Sequence, residues 1–348
     1  MPLDPLRALS WDPPPRVGRL RYLDAHTGGE PFRVLLDGPA EIPGATHGER
    51  RLWAIEHLDA LRRATMLEPR GHADMYGCLL TPPVDDGADF GILFLHNEGF
   101  STMCGHGIVA IVTVVLETGM LTARSWPAEV VVDTPAGRVR ARAEGSAERV
   151  RSVSFRNVPS FVLARDRRVE VAPWGAISYD LAFGGAFYAF VDAAPLGLAL
   201  TPDGVGPILA AGRAIKRAVV EAGGIEHPTE PALGFLYGVV FTGPSPEVGL
   251  HSRHACVFAD GEVDRSPTGT ALSARLALLQ AGGGLTPRTA IVVDSLLGSR
   301  FTGSVAEVTT CGALPAVIPE IRGEAWITGR GTLLIDPNDR LGEGFLLR

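Results

Sequence analysis

Short apolar segments broken by turn residues recur along this chain, so strands dominate what it predicts. Residues 19–24 and 32–36 read as strands on either side of a polar turn, His26-Thr27-Gly28-Gly29-Glu30-Pro31. Over residues 47–65 the period changes. Leu52, Ile55, Leu58 and Leu61 recur at helical spacing between charges, which predicts one amphipathic helix with that stripe facing the core. A polar loop at 71–77 leads into a strand at 78–81, and another strand is expected at 90–96. Residues 108–116 are apolar on every side. Their β-branched residues favour a strand by propensity. The glycine-rich start, the length to Thr118 and Gly119 as a stop favour a buried helix, which is the expectation here.

Farther on, 130–134 and 138–143 predict a hairpin across Pro135-Ala136-Gly137, and 150–157 and 160–164 continue as strands. Residues 181–191 read as one strand with a bulge-like glycine pair, Gly184-Gly185. Residues 201–223 are expected to be helical, 234–242 and 254–258 to be strands, and 271–280 to form a second central helix closed by Gly282-Gly283-Gly284. Four short β segments should follow, to Leu347. Residues 1–16 are proline-rich and read as an arm.

Two stretches organise this pattern. Thr102-Met103-Cys104-Gly105-His106-Gly107 precedes the first central helix, and Asp264-Arg265-Ser266-Pro267-Thr268-Gly269-Thr270 precedes the second. In each, a thiol or hydroxyl residue precedes glycine at a helix start, where free N–H groups and the dipole attract anions. A carboxylate held between the two ends would place its Cα between Cys104 and Thr268. The motifs lie about half the chain apart, which suggests two similar α/β units facing each other.

The chain has 348 residues, 46% hydrophobic and 20% charged, with a formal net charge of −7 and no basic run. That composition argues against nucleic-acid or anionic-membrane partners. A Schiff-base mechanism would have to use Lys216, the single lysine, which sits in an arginine-rich helical stretch. Cys78, Cys104, Cys256 and Cys311 form no CxxC pair, so neither a disulfide scaffold nor a zinc ribbon is expected. Reduced thiols, no signal pattern over residues 1–15 and no apolar run near the ~20 residues a bilayer requires together point to a cytoplasmic protein.

Each candidate has a plainer reading beside it. Cys104 could be a buried core cysteine. Its flanking glycines, His106 and the helix start are features that lower a thiol pKa. A metal reading would join Cys104 to His106 and His96, although the C-x-H spacing is no standard zinc pair. Gly105-x-Gly107-x-x-Ala110 matches a dinucleotide fingerprint loosely, without the βαβ context that fingerprint requires. Asp264 is either a turn residue or the anion that holds a substrate ammonium. Thr268 is an N-cap or a second active-site group, and its hydroxyl is too weak an acid or base to exchange protons alone.

MCGHG at 103–107 and DRSPTGT at 264–270 resemble the proline racemase family, as do DAHTGGEP at 24–31, RGHADMYG at 70–77 and GGAFYAF at 184–190. The resemblance implies a fold like that of diaminopimelate epimerase: two α/β units, each a mainly antiparallel sheet wrapped round a central helix, with the active site in the cleft between them. On the residue pattern those units would be 17–160 and 161–329, with 330–348 returning to the first. It implies no cofactor and no metal, a cyclic imino acid as small-molecule substrate, and leaves a homodimer as one candidate assembly. The family's racemases and epimerases use two cysteines as opposed acid and base. The first falls on Cys104 and the second on position 268, where this chain has Thr268. The Cys/Thr pair looks like the trans-3-hydroxy-L-proline dehydratase branch. Carboxylate contacts map to the backbone at Gly105, His106, Gly269 and Thr270, and the ring-nitrogen contact maps to Asp264. Ala271 stands where many members continue with glycine, and residues 233–236 offer no counterpart of a histidine that some epimerases use. The expected reaction is dehydration of trans-3-hydroxy-L-proline. The alternatives are a hydroxyproline or proline epimerase and a non-catalytic binding protein.

Overall fold

A computed structural model describes residues 4–39, 41–286 and 288–347. Within the N-terminal arm, Pro5–Ser10 form a short 3-10 helix capped by Asp4. Strands β1 (Gly18–Thr27) and β2 (Glu30–Leu35) form a hairpin that turns on Gly28 and Gly29 alone, with φ of 61° and 91°. The turn is tighter than the sequence suggests, because two consecutive glycines with positive φ suffice to reverse a twisted ribbon.

The expected single helix over 47–65 is two helices, α1 (His47–His57) and α2 (Asp59–Met66), which meet at Leu58 with φ −115° and ψ 13°. Only half of the apolar stripe faces in: Leu58 and Leu61 pack against the core, while Leu52 and Ile55 are 50% and 42% exposed and Ala54 is fully buried in their place. Both helices lie against one strand, and the break lets Arg62 turn inward, where its guanidinium donates to the carbonyls of His96 and Asn97. That strand is β4 (Phe90–His96), the antiparallel partner of β3 (Tyr76–Thr81). After β5 (Phe100–Ser101) come α3 (Gly105–Glu117), β6 (Ala128–Thr134), β7 (Gly137–Gly145) and β8 (Val150–Arg156).

The second half runs β9 (Ser160–Val171), β10 (Gly175–Phe183), β11 (Phe187–Asp192), α4 (Val205–Ala222), β12 (Leu236–Gly243), β13 (Ser252–Phe258), β14 (Glu262–Asp264), α5 (Gly269–Ala281), β15 (Ile291–Asp294), β16 (Arg300–Cys311), β17 (Leu314–Gly323) and β18 (Ala325–Ile335). The strand expected over 181–191 is instead the hairpin β10–β11, turning at Gly184–Ala186 with Gly185 at φ 99°. A Cβ at Gly184 would collide with the Thr270 carbonyl, so the glycine pair lets the chain reverse hard against α5. The strands after α5 are mostly long, and the last ends at Ile335 rather than Leu347.

The two halves repeat one pairing order. β1–β2 is antiparallel, β2–β3 parallel, β3–β4 antiparallel, β4–β6 parallel, and β6–β7–β8 antiparallel. The same sequence of pairings recurs through β10, β11, β12, β13, β15, β16 and β17. β17 pairs with both β8 and β9, and β18 returns to β1, so the halves are stitched by backbone ladders. Each sheet wraps its central helix. Ile108 through Val112 are fully buried in α3, as are Ala271, Leu272, Ala274 and Leu276 in α5. Burial on all sides overrides the strand propensity of the valines and isoleucines in α3. Among the described residues no helix is long and apolar enough to cross a membrane.

One buried histidine ties α1 to the sheet. His47 is 3% exposed, and its Nε2 lies 2.9 Å from Thr81 Oγ1, over Gly91, where any side chain would strike the ring. Burial, then the charge of Arg50, holds its pKa down to about 4. The folded state therefore binds the proton less tightly than the unfolded chain. The stability this contributes is present above pH ~6.5 and is lost as pH falls toward 4. His47→Gln is expected to flatten the loss of stability between pH 7 and 4.5 by on the order of 1–2 kcal/mol, after solvent screening. Urea midpoints of both proteins at the two pH values check this, and parallel pH dependences would refute it.

Candidate active site

The first wall is the start of α3. Cys104 occupies the N-cap with extended backbone, and its Sγ accepts the Gly107 N–H at 3.2 Å. Gly107 is required there, since a Cβ would stand 2.6 Å from the Phe32 ring and 2.9 Å from Cys104 Sγ. The His106 ring lies 3.2 Å from that sulfur, and the His106 carbonyl accepts the Thr27 hydroxyl at 2.9 Å. The ring is held edge-on to Tyr76 and Phe32.

The second wall is the start of α5. Thr268 occupies its N-cap position at φ 58°, a left-handed conformation uncommon for a β-branched residue. Its hydroxyl does not cap the helix as a simple N-cap would. It donates to Asp264 Oδ2 at 2.8 Å, while Asp264 Oδ1 accepts the Ser266 N–H at 2.7 Å. Asp264 Oδ2 also stands 3.9 Å from His106 Nδ1, which links the two walls. The loop between is gripped from the first half. Glu30 Oε2 accepts the Arg265 N–H at 2.7 Å, and the Arg265 guanidinium meets Asp74 at 3.1 Å. The GGEP and GHAD motifs thus supply a clamp on the loop that carries Asp264 and Thr268.

The two helix starts touch glycine to glycine. A Cβ on Gly105 would lie 2.6 Å from Gly269 Cα and 3.1 Å from Thr270 N. The first-turn N–H groups of Gly105, His106, Gly269 and Thr270 have no acceptor within their helices. These residues line one narrow cavity of ≈10 Å³, room for about one water, together with Cys104, Asp264, Thr268, Tyr76, Tyr188, Tyr237 and Phe258. All seven residues singled out from sequence converge here. Lys216 does not: its Nζ donates to the Ala259 carbonyl outside the cavity lining. His96 stacks behind Tyr76 rather than joining Cys104.

Sequence reasoning missed the aromatic wall. Tyr76 and Tyr188 sit inside the RGHADMYG and GGAFYAF motifs, which was the signal available for them. Tyr237 carries none. Its hydroxyl lies 3.1 Å from that of Tyr76, and Tyr188 reaches Thr270 Oγ1 at 2.6 Å. The electrostatics also differ from expectation. Burial, then the carboxylates of Asp264 and Glu30, pushes the Cys104 thiol well above its ordinary range, against the Gly107 hydrogen bond that lowers it. Desolvation outweighs the helix start for a thiol buried this deeply. Burial likewise lowers the His106 pKa against the pull of Asp264.

This arrangement matches known proteins over nearly its whole length. The proline racemase family model matches residues 22–346. A protein of Bacillus cereus named trans-3-hydroxy-L-proline dehydratase is 45% identical over 325 residues, covering 93% of this chain and 97% of the relative. One of Colwellia psychrerythraea with the same name is 44% identical over 329 residues, covering 94% and 93%. The crystal structure of a hydroxyproline epimerase from Agrobacterium vitis, with bound trans-4-hydroxy-L-proline, superposes with a TM-score of 0.89 at 34% identity, covering 94% of this chain and 96% of that one. The mixed α/β fold is the diaminopimelate epimerase-like one that this structure shares, and the chain belongs to the proline racemase family.

Proposed function

We propose that this protein dehydrates trans-3-hydroxy-L-proline to Δ1-pyrroline-2-carboxylate without a cofactor, in the cytoplasm. The observation that carries the reading is chemical asymmetry: one thiol, Cys104, and one alcohol, Thr268, wall the same cavity at two facing helix starts. Racemisation needs a proton removed on one face of Cα and returned on the other. Dehydration needs one base at Cα and a hydroxyl on the neighbouring carbon. The names of the relatives at 44–45% identity agree with this assignment.

In this mechanism the substrate carboxylate takes the N–H groups of Gly105, His106, Gly269 and Thr270, which stabilise the charge that develops as Cα is deprotonated. The ring nitrogen sits between Asp264 and His106. Its positive charge offsets the carboxylates that hold the Cys104 thiol up, so substrate itself favours the thiolate. Cys104 Sγ takes the Cα proton, the C3 hydroxyl leaves as water, and the enamine tautomerises to the imine. A cavity of ≈10 Å³ cannot admit a proline ring. The units 17–160 and 161–329, with 330–348 returning to the first, therefore part about the strands they share to load substrate.

Purified protein incubated with trans-3-hydroxy-L-proline, Δ1-pyrroline-2-carboxylate reductase and NADPH is expected to oxidise the nicotinamide. Trans-4-hydroxy-L-proline and L-proline, followed by polarimetry, are expected to stay unchanged. No oxidation, but a change of rotation with either of the latter, would replace the dehydratase by an epimerase. Silence in both assays with a ligand-raised melting temperature would leave a binding protein.

A further inference from the structure

A C3 hydroxyl leaves as water only if a proton reaches its oxygen. Thr268 is placed to give one, but a threonine alkoxide is too basic to be left behind unaided. A second thiol lies directly behind it. Antiparallel β13 and β14 pair Cys256 opposite Asp264. Directly opposed residues project to the same face of a sheet, and Phe258, two positions along β13, lines the cavity. Cys256 therefore faces the site, 1% exposed, at the strand position beside the carboxylate to which the Thr268 hydroxyl donates. The Thr268 hydroxyl donates to Asp264 Oδ2 at 2.8 Å, so alcohol and carboxylate are joined and the buried thiol stands opposite that carboxylate across the strand pair.

We propose that Cys256 supplies, through Thr268, the proton that the leaving hydroxyl requires. The inference rests on the dehydration reading. When the substrate's ring ammonium pairs with Asp264, the Thr268 hydroxyl is released to turn to the C3 oxygen. The Cα–H electron pair becomes the Cα–C3 double bond as Cys104 Sγ takes the proton. The C3–O pair departs with oxygen, which takes the Thr268 proton and leaves as water. Thr268 recovers its proton from Cys256 Sγ. The balance is loss of one water from the substrate, with Cys104 ending as thiol and Cys256 as thiolate. Exchange with solvent in the open state resets both. Cys256 touches no substrate and is a positioning residue for Thr268. Burial, then Asp264, pushes its thiol up, so it rests protonated as a donor must, and the Lys216 charge favours the thiolate left behind.

The test compares Cys256→Ala and Cys256→Ser with wild type on two substrates, trans-3-hydroxy-L-proline and trans-3-fluoro-L-proline. Fluoride, the anion of a far stronger acid than water, departs with much less help. With the hydroxy substrate, Cys256→Ala is expected to lose about 10²-fold in kcat with KM within twofold, and Cys256→Ser to fall between. With the fluoro substrate, followed by fluoride release, both should stay within about threefold of wild type. Equal losses on both substrates, or no loss on the hydroxy substrate with thermal stability retained, would overturn the role of Cys256 alone. A wild type that eliminates neither water nor fluoride would bring down the dehydratase reading and this inference with it.

Discussion

Replacing Cys104 by serine is expected to lower kcat by ~10³-fold while leaving the melting temperature nearly unchanged. The two effects separate because the residue does two things. As the N-cap of α3 its side chain accepts the Gly107 N–H, a task serine performs well. As the base of the proposed mechanism it must carry a negative charge near neutral pH. A thiol reaches that state with help from a cationic ring nitrogen, and an alcohol lies several pKa units farther away. The conserved cap keeps the helix start and the carboxylate site in place, so KM should change little. Loss of Cα deuterium from labelled substrate into water should vanish together with turnover. A serine variant within tenfold of wild-type kcat would remove Cys104 from the role of base.

Gly105→Ala is expected to cost about 1–3 kcal/mol of stability and ~10²-fold in kcat/KM. The added Cβ would stand 2.6 Å from Gly269 Cα, 3.0 Å from the Gly269 carbonyl carbon and 3.1 Å from Thr270 N. These are backbone atoms of a fully packed helix, so no side-chain rotation relieves the overlap. The two helix starts must move apart, and the N–H groups that would share one carboxylate lose their common focus. Gly206→Ala on α4 is the control, since a Cβ there meets open space. Denaturant unfolding and steady-state kinetics on both variants check the expectation. A Gly105→Ala enzyme as stable and active as the control would mean that the close approach of α3 and α5 does not matter to the site.

The parts of the site legible in the sequence were those with a local signature. Cys104 and Thr268 precede glycine at the start of an apolar segment, and that pattern suffices to place both at helix N-termini. Phe90–His96 needed only its apolar run between turn residues, and its observed bounds are the expected ones. The failures lie where a distant element decided the local shape. The break at Leu58 has no glycine or proline to announce it and follows from two helices packing against one strand while Arg62 reaches the His96 carbonyl. The hairpin at Gly184 depends on the first turn of α5, far along the chain. Leu52 and Ile55 kept the helical period and still faced outward.

By itself the sequence determined the family, the strand-rich composition, the two motif helices and the identity of the opposed thiol and alcohol. Each of these is written in residue type and short-range spacing. Only the tertiary structure decided that Gly105 meets Gly269, that Glu30 and Asp74 clamp the loop before Thr268, that Tyr237 completes the wall, and that Cys256 stands behind Thr268. It also reversed the expected direction of the Cys104 pKa. The physical reason is common to all five. Contact across the repeat, cross-strand register and desolvation are set by which surfaces the folded chain buries against each other, and no window of neighbouring residues carries that information.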